Sequence, residues 1–337
     1  MLNTSAHADP STTPMFGKSK IQPDIGLYAP GCRPRPDESR TQASKAELFA
    51  EFKIDAKDEP FREESGPFLL AKHSKSPHHL ETFELPPLER FSKKSRDTRG
   101  QLTVYNNAIQ ASQPRTRVFS FFIRRQFCRL LCHSRTGTQV TPLFDYTKID
   151  HLHTFLWRLT HANAADRGHD DSLKQISRRD QSDLPKQARS ALGITPSDPL
   201  YQLSVAAQSG DMQLFISVPF STTHIYPVGR GTRCFKAYVP NRQSLVLLKD
   251  TWRVEQYGEE HGIYCVLKEK GVRNIPNVLA AGDVPGRFQE TPNDGAAEND
   301  RRLIHYRLVL DVVGKPLNTF ESTHQLVSVL RDAFQGG

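Results

Sequence analysis

Two groups of residues in this sequence have types and spacings that could do chemistry. The first runs from Gly229-Arg-Gly231-Thr232, through the apolar run Leu245-Val-Leu-Leu that ends on Lys249, to a segment carrying Glu255, Glu259 and Glu260. A glycine turn lets backbone amides approach phosphate oxygens with no Cβ in the way. A lysine held by a carboxylate offers the same oxygens a compact positive charge. Each piece alone has a plain structural reading: an ordinary turn, an edge-strand lysine, a solvated acidic helix. The third glycine position, near Cys234, is filled by another residue. Order and spacing together favour the phosphate-binding arrangement. In Glu260-His-Gly-Ile263-Tyr264, Ile263 and Leu267 lie on a neighbouring face for packing, which directs Glu260 towards Lys249. Glu255 and Glu259 are alternatives for that role.

The second group is Pro23-Asp24, Glu51-Phe-Lys53 and Gln101-x-x-x-Tyr105. Strand alternation puts Glu51 and Lys53 on one face. With Asp24 they make two carboxylates and a lysine, a set that could hold a hard divalent ion. The pattern resembles one found in restriction-endonuclease-like families and implies a metal-dependent, nuclease-like N-terminal domain. The plainer alternative is a strand with solvent-facing charges.

Around these residues the pattern predicts short strands at Ile25–Tyr28 and Glu47–Lys53, a helix over Gln101–Ala111, and a strand pair, Arg117–Ile123 and Phe127–Cys132, turning at Arg124-Arg125-Gln126. Leu152, Phe155, Leu156 and Leu159 give Asp150–His161 a helical period. Further strands are expected at Tyr201–Val205, Met212–Val218, Cys234–Val239, Ser244–Lys249 and Tyr306–Val313, with a helix from about Arg253 to Lys270. The expected organisation is a disordered N-terminus over 1–20, an α/β domain over 21–165 with a disordered insert near 55–98, a linker over 166–200, and a second domain over 201–337.

With 337 residues there is room for about two domains. The mean hydropathy of −0.55 and 23 prolines show that polar stretches dilute the apolar ones. A net charge of +8 is compatible with anionic partners. Yet no basic block is long or aromatic-interleaved enough for a nucleic-acid groove, which points to a solvated basic surface and a protein partner or substrate. The five cysteines, Cys32, Cys128, Cys132, Cys234 and Cys265, are scattered and read as reduced thiols; His78-His79 and His151-x-His153 lack companion ligands. There is no signal-peptide pattern and no apolar run of membrane-spanning length, so an intracellular protein, cytoplasmic or nuclear, is expected.

Longer runs carry a family likeness. Arg115-Thr-Arg-Val-Phe119, Phe144-Asp-Tyr146, Phe155-Leu-Trp-Arg158 with His161-Ala, Arg167-Gly168, Gly229-Arg-Gly-Thr232 and Leu248-Lys-Asp-Thr-Trp-Arg253 together resemble the fungal-specific protein kinase family, over about residues 20–335. The resemblance implies an α+β chain: a restriction-endonuclease-like N-terminal domain in our reading, then a protein-kinase-like small lobe. It implies ATP and magnesium as cofactors and protein Ser/Thr phosphorylation as the family activity. Gly229, Gly231, Thr232, Lys249 and Glu260 become ATP-site residues. Leu308-Val-Leu-Asp-Val-Val-Gly314 resembles the last strand and adenine-binding hinge, with Leu310 as gatekeeper and Asp311 to Val313 as hinge. One departure is Cys132-His-Ser-Arg-Thr-Gly137, where relatives typically carry a Trp-Asp-Arg-Ser-Gly-like run. Another is that the 337 residues hold no His-Arg-Asp catalytic loop and no Asp-Phe-Gly. The catalytic aspartate and magnesium ligands are therefore absent from them, the lobe stops near a helix beginning at Thr323, and no kinase activity is expected of this chain alone. A non-catalytic regulatory or binding role is the alternative.

Overall fold

The computed structural model describes residues 1–5, 7–10, 21–62, 88–180, 182–207, 210–217, 228–291, 302–315 and 317–336. His78-His79, the middle of the expected insert and Val218 lie outside them. The chain is a mixed α+β protein with two seven-stranded sheets and five α-helices among the described residues. It divides into two compact units, one of residues 1–109, 118–133 and 138–162, the other of residues 110–117, 134–137 and 163–337.

The first unit's sheet contains β1 (Leu2–Asn3), β2 (Ile25–Tyr28), β3 (Ala46–Lys53), β4 (Val118–Arg124), β5 (Phe127–Ser134), β6 (Gly137–Val140) and β7 (Phe144–Asp145). They are ordered 1-2-3-4-5-6, with β7 on β5. β2 and β3 are antiparallel, whereas β3 and β4 are parallel. A parallel pair needs a crossover, and the helix α1 (Lys93–Ser112) lies in it. On one face of β3, Phe49 meets Tyr105 of α1 edge-on, ring centroids 6.2 Å apart, among Ala108 and Ile109. On the other, Leu48 and Ala50 pack with Phe121, Ile123 and Leu159, beside Leu152, Phe155 and Leu156 of α2 (His151–His161). Helices on both faces explain why β3 is buried almost without alternation.

Three expectations for this unit change. Leu2, Asn3 and Asp9 are tied in: β1 pairs with β2, and the Asp9 carboxylate accepts from the Ala43 amide at 2.7 Å. The flanks of the expected insert are also ordered. Phe61 bridges to Glu89, and buried Glu59 pairs with Arg129 at 2.7 Å and with Arg124 at 3.3 Å. α1 begins two turns before Gln101, its start capped by Ser92 Oγ accepting from the Ser95 amide. Those first turns are polar, so no hydrophobic period marked them.

The second unit is one antiparallel sheet of β8 (Lys174–Ile176), β9 (Leu200–Val205), β10 (Met212–Ile216), β11 (Arg233–Val239), β12 (Ser244–Val254), β13 (Val278–Asp283) and β14 (Leu303–Leu310). The strand order is 13-14-12-11-10-9-8. Its helices are α3 (Asp183–Leu192), α4 (Glu260–Glu269) and α5 (Thr323–Gly336). One face buries Leu203, Leu214, Phe235, Val246, Leu248 and Val309. β8 and α3 occupy the stretch expected as a linker. Only Pro185, Ala188 and Arg189 are buried along α3, and it stops at Gly193 in the left-handed region, so its apolar signal was thin. β12 continues to Val254 where a helix was expected to begin: Thr251 and Trp252 pair with Tyr306 and His305, and Trp252 stacks on His305 with centroids 4.9 Å apart. The helix starts at Glu260 instead.

Candidate functional site

Lys249 stands mid-strand on β12, between Cys234 of β11 and Leu308 of β14 in the register. Alternation turns it away from the face that buries Val246 and Leu248. The first residue of α4, Glu260, meets it there: both carboxylate oxygens accept from Lys249 Nζ, at 2.7 and 2.6 Å. The rival carboxylates are engaged elsewhere, Glu259 with His261 at 3.1 Å and Glu255 with Arg302 at 2.9 Å. Lys249 and Glu260 side chains remain 25 and 22% exposed, so solvent and an anion can reach them. Such a pair is worth about 1 kcal/mol or less to folding, and its role is to fix the ammonium in place. A cavity of about 600 Å³ adjoins it, bounded by Lys249, Arg253, Glu260, Tyr264 and Tyr306. Across the strand pair Cys234 and Lys236 are exposed on the same face, leaving open sheet beside the lysine.

Gly229 and Gly231 both have left-handed backbones, φ +89° and +49°. Their freedom is used by an unexpected residue. The Gly229 amide donates to the Arg135 carbonyl at 2.7 Å, and a Cβ on Gly231 would collide with the Arg135 guanidinium. The turn is also sewn to β12, with the Trp252 amide donating to the Arg230 carbonyl at 2.8 Å and Thr232 bonded to Thr251 at 2.7 Å. Burial, with Arg233 alongside, pushes Arg135 down to about 10. Arg135 lies in the Cys132–Gly137 run that departs from the family pattern, the one signal that pointed to it. At the expected hinge, Asp311 is committed to Asn277. Its amide donates to the Asn277 carbonyl at 3.1 Å, and its carboxylate accepts from the Asn277 amide and Nδ2 at 2.8 and 2.6 Å. Burial pushes this carboxyl up, but the Asn277 bonds outweigh it and hold the group below its ordinary value. Val313 lies beyond β14 in irregular chain, half-buried.

The opposite face of β12 holds charges that sequence reasoning missed. Buried Asp250 receives Arg307 Nε at 3.1 Å and lies 3.0 Å from His305 Nε2, and Arg307 also reaches Asp170 at 3.4 Å. Against burial, the cations around Asp250 hold its carboxyl well below the ordinary range.

In the first unit, Asp24 directly precedes β2 and its Oδ2 accepts from the Phe52 amide at 2.8 Å. Ile25 pairs with Ala50, so one more step of that register sets Asp24 opposite Glu51. Lys53 forms an ion pair with Glu51 Oε1. Tyr105 covers them from α1, its hydroxyl donating to the Gln22 carbonyl at 3.2 Å. Asp24, Glu51, Lys53 and Tyr105 thus come together; Gln101, one turn earlier, is exposed. Burial raises the Glu51 carboxyl, the Asp24 charge adds to this, and Lys53 opposes it. Burial and both carboxylates raise the Tyr105 hydroxyl as well. Among the described residues no group of three or more His, Cys, Asp or Glu side chains could hold a metal ion. Among the described residues the five cysteines form no disulfide.

A lysine on a central antiparallel strand, gripped by the first glutamate of the next helix, is compatible with a kinase-like fold. The family comparison agrees: the model for fungal protein kinases matches residues 71–294, more than half of the sequence, and the chain belongs to that family. Its general chemistry uses ATP and magnesium. No curated protein and no solved structure matches the chain. Among the described residues, no helix is long and apolar enough to cross a membrane.

Proposed function

We propose that the sheet and α4 of the second unit form the nucleotide-holding small lobe of an ATP-dependent protein Ser/Thr kinase. The observation that carries this is the two-oxygen grip of Glu260 on Lys249. It fixes the ammonium where α- and β-phosphates would meet it, over the open sheet beside Cys234 and Lys236. Glu260 is a positioning residue: it holds Lys249 rather than the nucleotide. Thr232 and the Gly229–Gly231 turn border the same strand, and Leu310, Asp311 and Val313 border the adenine side. Among the described residues of this unit no group of three or more His, Cys, Asp or Glu side chains could hold magnesium. These residues bind and orient; removal of the substrate hydroxyl proton and transfer of the phosphoryl group call for a catalytic aspartate outside this set. The partner is a protein, as substrate or as regulator, in the cytoplasm or nucleus. The test compares ATP and adenosine binding by the wild-type chain and Lys249→Met. The expected result is weak ATP binding, stronger than adenosine binding, with that preference erased in the variant. ATP binding that Lys249→Met leaves unchanged overturns the reading. A folded chain that binds no nucleotide favours a non-catalytic regulatory or binding fragment.

A second reading concerns the first unit: a restriction-endonuclease-like core acting as a metal-dependent nuclease. It is supported by the β3–α1–β4 crossover and by the meeting of Asp24, Glu51 and Lys53. DNA cleavage that requires added magnesium or manganese and is lost in Glu51→Gln is the expected result. Cleavage that survives the substitution contradicts it.

A further inference from the structure

Arg233 opens β11 opposite Asp250 of β12, one step past the Cys234–Lys249 pair, so its side chain leaves the sheet on the face away from Lys249. Only 11% of that side chain is exposed, and its Nε and Nη1 are buried with no hydrogen-bond partner. Its Nη2 stands 3.8 Å from Asp250 Oδ1, too far for a hydrogen bond. The Phe235 ring, 5.6 Å from the guanidinium, adds only a weak cation–π contact. Asp250 has little to spare, because Arg307 Nε and His305 Nε2 crowd its Oδ2 at 3.1 and 3.0 Å. A second buried guanidinium, that of Arg135, lies against Gly231, and burial together with the Arg233 charge pushes it down to about 10. Two nearly buried cations thus repel each other, and the carboxylate that Arg233 faces is already shared. Buried donors on a charged group, left without acceptors, are costly.

We propose that Arg233 and Arg135 form an oxyanion site behind the glycine turn, one that takes a phosphate group. Guanidinium forks match phosphate oxygens in geometry and charge. A phosphate carries close to two negative charges and several acceptor oxygens, enough to answer two guanidiniums at once. Gly231, Thr232 and Arg233 are partly exposed, which gives the anion a way in along the turn. The site lies across the sheet from Lys249 and does not depend on the nucleotide reading of that face. The turn already leans on Arg135: the Gly229 amide donates to its carbonyl at 2.7 Å, and Gly231 packs against its guanidinium. An anion held there ties the turn down from behind. Free orthophosphate and a phosphorylated serine side chain present the same chemistry to it.

Thermal unfolding of the full chain, in phosphate-free buffer and with orthophosphate added at matched ionic strength, tests the site. The wild-type midpoint is expected to rise by a few degrees with millimolar orthophosphate, as it must for a ligand of the folded state, and that of Arg233→Met not to move. Without phosphate, Arg233→Met is expected to be at least as stable as wild type, because a crowded cation and its unpaired donors are gone. Lys249→Met is expected to keep the full response, which separates this site from the nucleotide face. A phosphoserine peptide that competes with orthophosphate makes a side chain the source, and a response without such competition makes it the free ion. No response in wild type, or an equal one in Arg233→Met, overturns the site. A response lost in Lys249→Met but kept in Arg233→Met assigns the phosphate to the nucleotide face and overturns it too. A large loss of stability in phosphate-free Arg233→Met makes Arg233 a structural partner of Asp250 and contradicts the proposal.

Discussion

Each unit places a lysine against a glutamate on a sheet, and the two pairs differ in what they leave unsatisfied. In the second unit one ammonium satisfies both oxygens of Glu260, and both side chains remain reachable by solvent. In the first unit Lys53 reaches one oxygen of a nearly buried Glu51, while Asp24 crowds the same space. A complete, accessible pair can hold an external anion without rearranging. The first arrangement leaves its lysine within reach of solvent, and the second keeps its glutamate out of water.

The comparison can be pressed by substitution, beginning with a buried pair that has no functional role in this account. Arg129→Met would leave nearly buried Glu59 only its 3.3 Å contact with Arg124, and a loss of about 3 kcal/mol, the lower end for a broken buried pair, is expected in urea unfolding. A loss below about 1 kcal/mol, the range of exposed pairs, would show that burial does not separate the two kinds of ion pair here.

Gly231→Ala should cost about 1–2 kcal/mol from its left-handed backbone alone, plus the displacement of Arg135. Arg135→Ala should relieve the collision but not the backbone strain. If the double variant is no more stable than Gly231→Ala, the close approach of Arg135 is not what the glycine serves.

A smaller effect is expected from pH. A carboxyl whose folded pKa is raised binds its proton more tightly in the folded than in the unfolded state. Its contribution therefore favours folding at low pH and fades as pH rises above the ordinary 4.5. Wild type should gain stability relative to Glu51→Gln as pH falls towards 4.5, read as the difference between their unfolding midpoints. A difference that grows in the opposite direction would mean that Lys53 outweighs burial at this site.

The smallest change in stability belongs to Lys249→Met, at about 1 kcal/mol or less, because the pair is partly exposed. Thermal unfolding checks it. A loss comparable to that of Arg129→Met would make the pair a structural element rather than a positioning device.

Much of this was written in local patterns. The run Leu245–Leu248 before Lys249 marked a central strand, and Glu260 ahead of Ile263 and Leu267 marked the helix that grips it, though its start was expected near Arg253. Alternation put Glu51 and Lys53 on one face, and an Asp at the mouth of the preceding strand met them. The buried charges were illegible for a common reason. Arg129, Glu59, Asp170 and Arg307 look like surface residues in composition and go inside only because a partner far along the chain receives them. α3 and β8 were hidden by brevity, since so few of their side chains need burial that the stretch reads as a polar connection. The length of β12 was set by Trp252 stacking on His305, a contact between residues more than fifty positions apart.

The central claim is that Lys249 and Glu260 act as one unit in holding a nucleotide, and a double-mutant cycle on ATP affinity tests it most directly. Lys249→Met, Glu260→Gln and the double variant would be titrated with ATP beside the wild-type chain. If Glu260 works only by holding Lys249, the double variant should bind ATP no worse than Lys249→Met alone, so that the two losses fail to add. Losses that add in full would show that each residue meets the nucleotide, or its environment, on its own, and would contradict the account.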